Sequence, residues 1–435
     1  FEQELAVIKG RVDGLEARVG TLEAQQFSTT TKLEGQASFA LGANNFGGDW
    51  DNNGINLQDQ SSEGIGATTL NYDLQLALVT SFTGEDTLLT VLRSGNFGNT
   101  AFVGGGTIER GEDSSVDVAA SNLSTLEFAS GSGDTVFIDK LFYQLPLGNN
   151  LTATVGPLVG QEDMLAIWPS AYASEASSTV LDYTTLGGAP GAYSKNLGAG
   201  AGIWWQSDDG FAISANYVAA NGANGNPNNE DNDEREGDCG GIATDCSLGS
   251  ATVQIGYAAD QWGIAGAYTW LQDSSLIAYG TSFLTSSFAG AEGNQANAFA
   301  LSGYWMPEET GFIPSVSVGW GYNTHSYDDD APNGAITESQ SWTVGLEWND
   351  AFFEGNAAGI AVGQGVMATE LEDDTTPDDG NYVWEGWYRF QVTDNISITP
   401  AVFYLSRPLG QATASFDSSD TFSQLGGLVR TTFTF

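Results

Sequence analysis

Between Thr421 and Phe435 the chain alternates. Leu425, Gly427, Val429, Thr431, Phe433 and Phe435 fall on one side of an extended backbone, with Gly426, Leu428, Arg430, Thr432 and Thr434 on the other. One face is apolar and its reverse is polar or small, over about the length that crosses a bilayer at a tilt. A single segment of this kind also suits the edge of a soluble sandwich. The full chain decides differently, because the same two-faced segment recurs about sixteen times.

From Thr31 onward the period is two. The first expected strand, 31–42, sends Leu33, Gly35, Ala37, Phe39 and Leu41 outward and Lys32, Glu34, Gln36 and Ser38 inward. The second, 64–80, sets Leu70, Tyr72, Leu74, Leu76 and Leu78 against Asn71, Asp73 and Gln75, and a turn at 83–86 leads to a third ending near Ser94. Further strands are expected at 135–146, 150–160, 195–206, 211–219, 249–258, 262–272, 296–306, 312–323, 339–349, 355–367, 381–392, 396–406 and 421–435. Tight turns at 146–149, 207–210, 259–261, 307–311 and 393–395 alternate with long polar connections at 43–63, 95–134, 161–194, 220–248, 273–295, 324–338, 368–380 and 407–420. Short turns at one end and long loops at the other are the mark of an outer-membrane barrel. Aromatic residues agree: Trp205, Trp262, Trp305, Phe312, Trp348 and Phe352 gather at the short-turn end, and Tyr217, Trp270, Tyr322, Trp342 and Tyr382 at the other. The expected fold class is all-β, a 16-stranded antiparallel transmembrane β-barrel over residues 31–435.

Residues 1–28 follow another period. Phe1, Ile8, Leu15 and Leu22 share one heptad position and Leu5, Val12 and Val19 another, which makes a coiled-coil seam. Gly10, Gly14 and Gly20 weaken an isolated helix, so the seam needs partner helices; the alternative is a lone amphipathic helix docked on the chain's own body. The seam residues are then Leu5, Ile8, Val12, Leu15, Val19 and Leu22, whose mixture of Leu and β-branched side chains does not fix the number of copies.

Composition narrows the partners. With 55 acids against 12 bases the net charge is −43, which excludes a duplex nucleic-acid partner and favours cations. No stretch reaches the roughly 20 apolar residues of a membrane helix, which says nothing against strands. With Phe1 rather than Met at its start, the sequence is expected to follow a signal peptide, or a longer segment, that has been removed or left out. Cys239 and Cys246, with no histidine nearby, are expected to form a local disulfide in an oxidising compartment rather than a zinc site.

A sixteen-strand barrel keeps an aqueous lumen, so selectivity depends on what narrows it. The loops 95–134 and 161–194 carry apolar patches, such as Met164 to Pro169, that want cover, and the barrel wall can supply it. A cation facing lipid at mid-depth costs roughly 2–4 kcal/mol, so Arg93, Lys140, Arg389 and Arg430 are expected inside, on neighbouring strands of one wall. The expectation is a basic ladder facing Glu162, Asp163, Glu175 and Asp182 of the infolded loop; the alternative is scattered pairing with Asp73, Glu34 and Glu385. Asp49, Asp51 and Asn53 match the first half of a calcium loop, although Gln60 stands where a bidentate Glu belongs and no flanking helices are expected. No resident cofactor is expected beyond that possible loop-bound Ca2+. His325, the only histidine, is expected on the surface near Asp328, and no nucleophile stands in a catalytic setting, so the chain is not read as an enzyme.

A heptad segment leading into such a barrel, with Gly-rich strands, acidic loops and a C-terminal Phe, resembles the cyanobacterial major outer-membrane porins of the OprB-like carbohydrate-selective superfamily, often called iron-uptake porins. The resemblance is carried by Leu5 to Leu22, by 27–33, by Asp139-Lys140-Leu141-Phe142-Tyr143 and by Thr431-Thr432-Phe433-Thr434-Phe435. It implies a homotrimer in outer-membrane lipid, a periplasmic N-terminal helix, and peptidoglycan binding through an N-terminal domain absent from this sequence. The function it implies is passive diffusion of inorganic ions and small hydrophilic solutes through a lumen narrowed by an infolded loop. The alternative is a structural envelope tether or adhesin anchored by the barrel.

Overall fold

The computed structural model describes residues 30–435, apart from 53–54, 104–105, 110–114, 119–120, 228–238, 289–293, 310, 328–333 and 415–418. The heptad seam of Leu5, Ile8, Val12, Leu15, Val19 and Leu22, and Asn53 of the calcium candidate, therefore lie outside the described residues.

Sixteen strands close into one barrel in which each pairs antiparallel with its neighbours in sequence. They are β1 (Thr31–Gly48), β2 (Thr69–Thr80), β3 (Thr87–Gly95), β4 (Phe137–Pro146), β5 (Leu151–Gly160), β6 (Leu197–Gln206), β7 (Phe211–Ala219), β8 (Gly249–Ala258), β9 (Trp262–Leu271), β10 (Gln295–Trp305), β11 (Ser315–Ser326), β12 (Ile336–Asn349), β13 (Ala357–Leu371), β14 (Tyr382–Thr393), β15 (Ile396–Ser406) and β16 (Phe422–Thr434). The seam is β1 against β16, in register from Gln36 opposite Thr434 to Gly48 opposite Phe422. Closure leaves no unpaired edge, as hydrocarbon demands.

The alternation falls as the sequence implies. On β16, Leu425 and Val429 are exposed while Gln424, Arg430 and Thr432 are buried. On β7 and β8, Ile213, Val253 and Ile255 face out and Ser214, Asn216, Thr252 and Gln254 face in. Greasy residues outside and polar ones inside is the reverse of a soluble core. Eight tryptophans stand on the outer face: Trp205, Trp262, Trp305 and Trp348 near the short turns, and Trp270, Trp320, Trp342 and Trp384 toward the long loops.

Two local departures have physical causes. The expected second strand begins late, at Thr69, because α1 (Leu57–Ile65) precedes it. Leu57, Ser61 and Ile65 bury one helical face, and the Asn56 side chain caps the first turn by accepting from Asp59 N–H at 3.0 Å. A β-bulge at Asp139 interrupts the β3–β4 ladder between Leu92–Ile138 and Val91–Lys140. The extra residue lets Asp139 and Lys140 both turn inward.

Cys239 and Cys246 are joined by a disulfide with Cα atoms 5.7 Å apart. His325 is buried, contrary to the surface expectation. Residues 274–288 fold over it, so that its ring lies 4.6 Å from that of Phe288 and its nitrogens meet Ser274 and, on β12, Ser339.

Candidate pore constriction

The barrel's inner face is rich in small hydroxyl side chains, and the loop between β5 and β6 hangs on them. Ser317 Oγ accepts from Ala171 N–H at 2.9 Å, Ser302 and Ser341 donate to the carbonyls of Gly187 and Gly188 at 2.6 and 2.9 Å, and Thr399 donates to Ser177 O at 3.0 Å. The contact at Gly188 (φ +74°) is so close that a Cβ there would sit 2.3 Å from Gly319 O. Two wall carboxylates fasten the far side of the loop. Glu347 accepts from Ala173 N–H at 2.6 Å, and Glu385 accepts from Leu181 N–H at 2.6 Å and Tyr172 O–H at 2.7 Å. Inward-facing apolar residues complete the seal, with Tyr172, Val180, Leu181 and Tyr183 buried against the wall.

The loop between β3 and β4 also enters. Glu127 N–H donates to Val180 O at 2.9 Å and Asp182 N–H to Thr125 O at 2.9 Å, so the two loops meet in a short antiparallel bridge. Phe97, Phe102, Leu123, Leu126 and Phe128 of this second loop are buried in the same core. Both loops singled out in the sequence thus fold inward.

The charged groups meet where these loops approach β2–β4. Lys140 Nζ lies 2.8 Å from both Glu162 and Asp163. Arg93 Nε lies 2.8 Å from Asp73, with Asp139 at 3.9 Å from its guanidinium. Lys195 Nζ lies 2.6 Å from Asp182, whose other oxygen accepts from the Tyr279 hydroxyl. Glu127 accepts from Thr179 at 3.0 Å and lies within electrostatic reach of Arg93 and Lys195. Glu162 likewise reaches both Lys140 and Lys195, so the three bases belong to one ring. Six carboxylates (Asp73, Glu127, Asp139, Glu162, Asp163, Asp182) surround three lumen-facing cations (Arg93, Lys140, Lys195), and the Arg430 guanidinium beneath the loop also lies within electrostatic reach of Glu127 and Asp73. Burial and the neighbouring Glu162 push the Asp163 carboxyl above its ordinary range, against the pull of Lys140.

The expected ladder splits in two. Arg93 and Lys140 face the lumen, but Arg389 and Arg430 are only 5% and 1% exposed and lie beneath the loop. Arg389 pairs with Glu175 and donates to Ser177 and Ser178, while Arg430 donates to Ala176 O at 2.8 Å and its guanidinium sits 4.3 Å from the Phe128 ring centre. These two clamp the loop instead of facing water. Asp182 does not face the wall either, because Lys195 of its own loop holds it. Sequence reasoning missed Glu127 and Tyr279, which sit in segments without periodicity, and Lys195, which the expected strand 195–206 included although the strand begins only at Leu197; the scarcity of bases was the one available signal for Lys195. Of the calcium candidates, Asp49 spends one carboxylate oxygen on Thr421 N–H and O–H at 2.9 and 2.7 Å, which ties β1 to β16 at the outer rim. Among the described residues no cluster of three or more His, Cys, Asp or Glu side chains could hold a metal ion.

A family profile described as carbohydrate-selective porin, OprB family, matches residues 1–435. An uncharacterized protein of Nostoc sp. (strain PCC 7120) is 30% identical over 467 residues, covering 100% of this chain and 70% of the relative. One of Synechocystis sp. (strain PCC 6803) is 29% identical over 458 residues, covering 100% and 74%. Among solved structures, OprB of Pseudomonas putida at high pH superposes with a TM-score of 0.53 at 12% identity, covering 93% of this chain and 94% of that one. The anion-selective porin of Comamonas acidovorans gives 0.52 at 11% identity, covering 93% and 99%. At these identities the two structures speak for the fold alone.

Proposed function

The chain belongs to the OprB family of carbohydrate-selective porins, a non-enzymatic outer-membrane channel, and from that premise we propose that its lumen passes small inorganic cations and uncharged hydrophilic solutes by passive diffusion while disfavouring anions. The observation that carries this reading is the imbalance at the aperture, six carboxylates around three cations. In a narrow, partly desolvated passage such an imbalance acts on the permeating ion with little screening. Hydrated metal cations, the class to which the iron of the family resemblance belongs, fall on the favoured side. Neutral saccharides are limited by width and hydrogen bonding rather than by charge. As a homotrimer with the heptad segment on the periplasmic side, three apertures would conduct in parallel.

Reversal potentials across planar bilayers under a salt gradient test the reading. The expected sign is that of a cation-preferring channel, with conductance steps in groups of three, and a sign favouring chloride overturns it. Lowering the pH should weaken the preference, because protonation of Asp163, held above the ordinary carboxylate range, removes a negative charge from the ring. An envelope tether would show no conductance at all.

A further inference from the structure

The outward tryptophans of β9, β11 and β12 that lie toward the long loops share one arrangement. Trp270 donates its indole N–H to the side-chain oxygen of Gln295 at 3.4 Å, Trp320 to that of Gln340 at 3.3 Å and Trp342 to that of Gln364 at 2.6 Å. The Tyr268 hydroxyl donates to Asn297 in the same way at 2.8 Å. Each ring thus takes the amide oxygen of a residue on the next strand, and the pattern recurs across the outer face of β9–β13. A side-chain amide also carries two N–H donors. Among the described residues, the four amide nitrogens of this band meet no acceptor.

Height says what can answer them. Trp270 stands eight positions beyond Trp262 on β9, roughly 26 Å along a tilted strand, so the band falls at the far edge of the apolar zone, where headgroups begin. Unanswered donors are costly in hydrocarbon and useful against a polar headgroup.

Charge says which headgroup. β9–β13 carry no lysine or arginine. Glu338 and Glu370 stand opposite each other in the β12–β13 ladder near the outer ends of the strands, and Tyr322 lies within electrostatic reach of both. A phosphate wants cations and would be repelled by this pair. A sugar hydroxyl suits it, because the same group accepts from an amide N–H and donates to a carboxylate. Trp320 and Tyr322 add a flat apolar platform, with ring centroids 6.1 Å apart and planes 20° from parallel, for the C–H face of a pyranose. We propose that the outer band of β9–β13 binds the uncharged saccharide headgroup of a glycolipid in the outer leaflet. This reading concerns the outside of the barrel and is independent of what the lumen passes.

The test gives the full chain, in detergent, equimolar digalactosyl diacylglycerol and phosphatidylglycerol with matched acyl chains, and reads the retained lipid by native mass spectrometry. The glycolipid should be retained at least fivefold over the phospholipid. Equal retention, or preference for phosphatidylglycerol, overturns the proposal. Gln340→Leu combined with Gln364→Leu should keep a heat-modifiable barrel and bring the ratio to within twofold of unity; an unchanged ratio would place the sugar elsewhere, the lumen included, and overturns the proposal as well. Glu338→Lys with Glu370→Lys supplies an independent readout at the exposed rim, where the preference should turn toward phosphatidylglycerol, and its failure to move counts against the band. Glycolipid retained by the monomer but not by an oligomer would mean that a second copy covers the band, which also overturns it.

Discussion

Arg93 and Lys140 on one part of the wall, and Arg389 and Arg430 on another, leave their strands in the same inward phase but arrive in different surroundings. The first two keep side chains about a fifth exposed, 18 and 21%, and pair directly with carboxylates at the lumen surface. The second two are covered by residues 175–178 of the infolded loop and act as its clamps. Strand phase decides only that a cation turns inward; where the loop lands decides whether it meets solute or backbone. The same residue type is therefore a selectivity element at one site and a fastening at the other.

The comparison breaks most sharply at Glu385. Its replacement by Leu leaves Leu181 N–H and Tyr172 O–H without acceptors, a cost of about 3 kcal/mol on the loop's attachment. Glu385→Leu should raise single-channel conductance severalfold and admit larger sugars in liposome swelling, while the barrel still inserts. Unchanged conductance would mean that Glu347, the two arginine clamps and the hydroxyl contacts hold the loop without Glu385.

Next in size is the exposed pair. Arg93→Gln combined with Lys140→Gln leaves the aperture carboxylates with fewer counter-charges, so the cation preference read from reversal potentials should rise about threefold at low salt and much less at 1 M, where screening is about 3 Å.

Outside the lumen, Asp379 joins Ala368, Thr281 and Gln411 at the outer mouth and is pushed up to about 6, chiefly by burial, although its hydrogen bonds pull it back. A carboxyl whose folded pKa lies above its unfolded one stabilises the fold least when both states are ionised. The Tm of Asp379→Asn should therefore draw ahead of wild type, or fall less far behind it, as pH rises from 4 to 7.

The smallest effect is expected at Arg430. Two of its nitrogens find no hydrogen-bond partner among the described residues, so Arg430→Met should change thermal stability by no more than about 1 kcal/mol and, because its charge reaches Glu127 and Asp73 only from beneath the loop, should move ion selectivity less than the change at Arg93 and Lys140 does. A large selectivity change there would put Arg430 back in the aperture.

The barrel was legible because its rule is local. Leu425, Val429 and Phe433 alternate with polar partners whatever happens elsewhere, and the short turns are marked by Asp, Asn, Gly and Pro. Pairing Lys140 with Glu162 and Asp163 was also readable from charge and phase. The burial of Arg430 was not, because it depends on Phe128 and Ala176, some 300 and 254 residues away in loops that obey no period. The helix at Leu57–Ile65 was hidden for another reason: its four buried positions read as the polar approach to a strand until Asn56 is recognised as a cap. His325 was placed by its neighbour in sequence, Asp328, when its real neighbours are Phe288 and Ser339.

The seam between β1 and β16 joins residues from opposite ends of the chain, among them Ser38 and Thr432, 394 positions apart. Every other strand can zip onto the one made just before it, but this join has to wait until the whole polypeptide exists, and until then both margins stay raw. Assembly is thus timed by its last stitch, in which Phe435 and Gly35 exchange backbone hydrogen bonds at 2.7 and 3.0 Å. A chain without β16 would lose more than one set of contacts: it would remain an open ribbon, and an open ribbon has no inside.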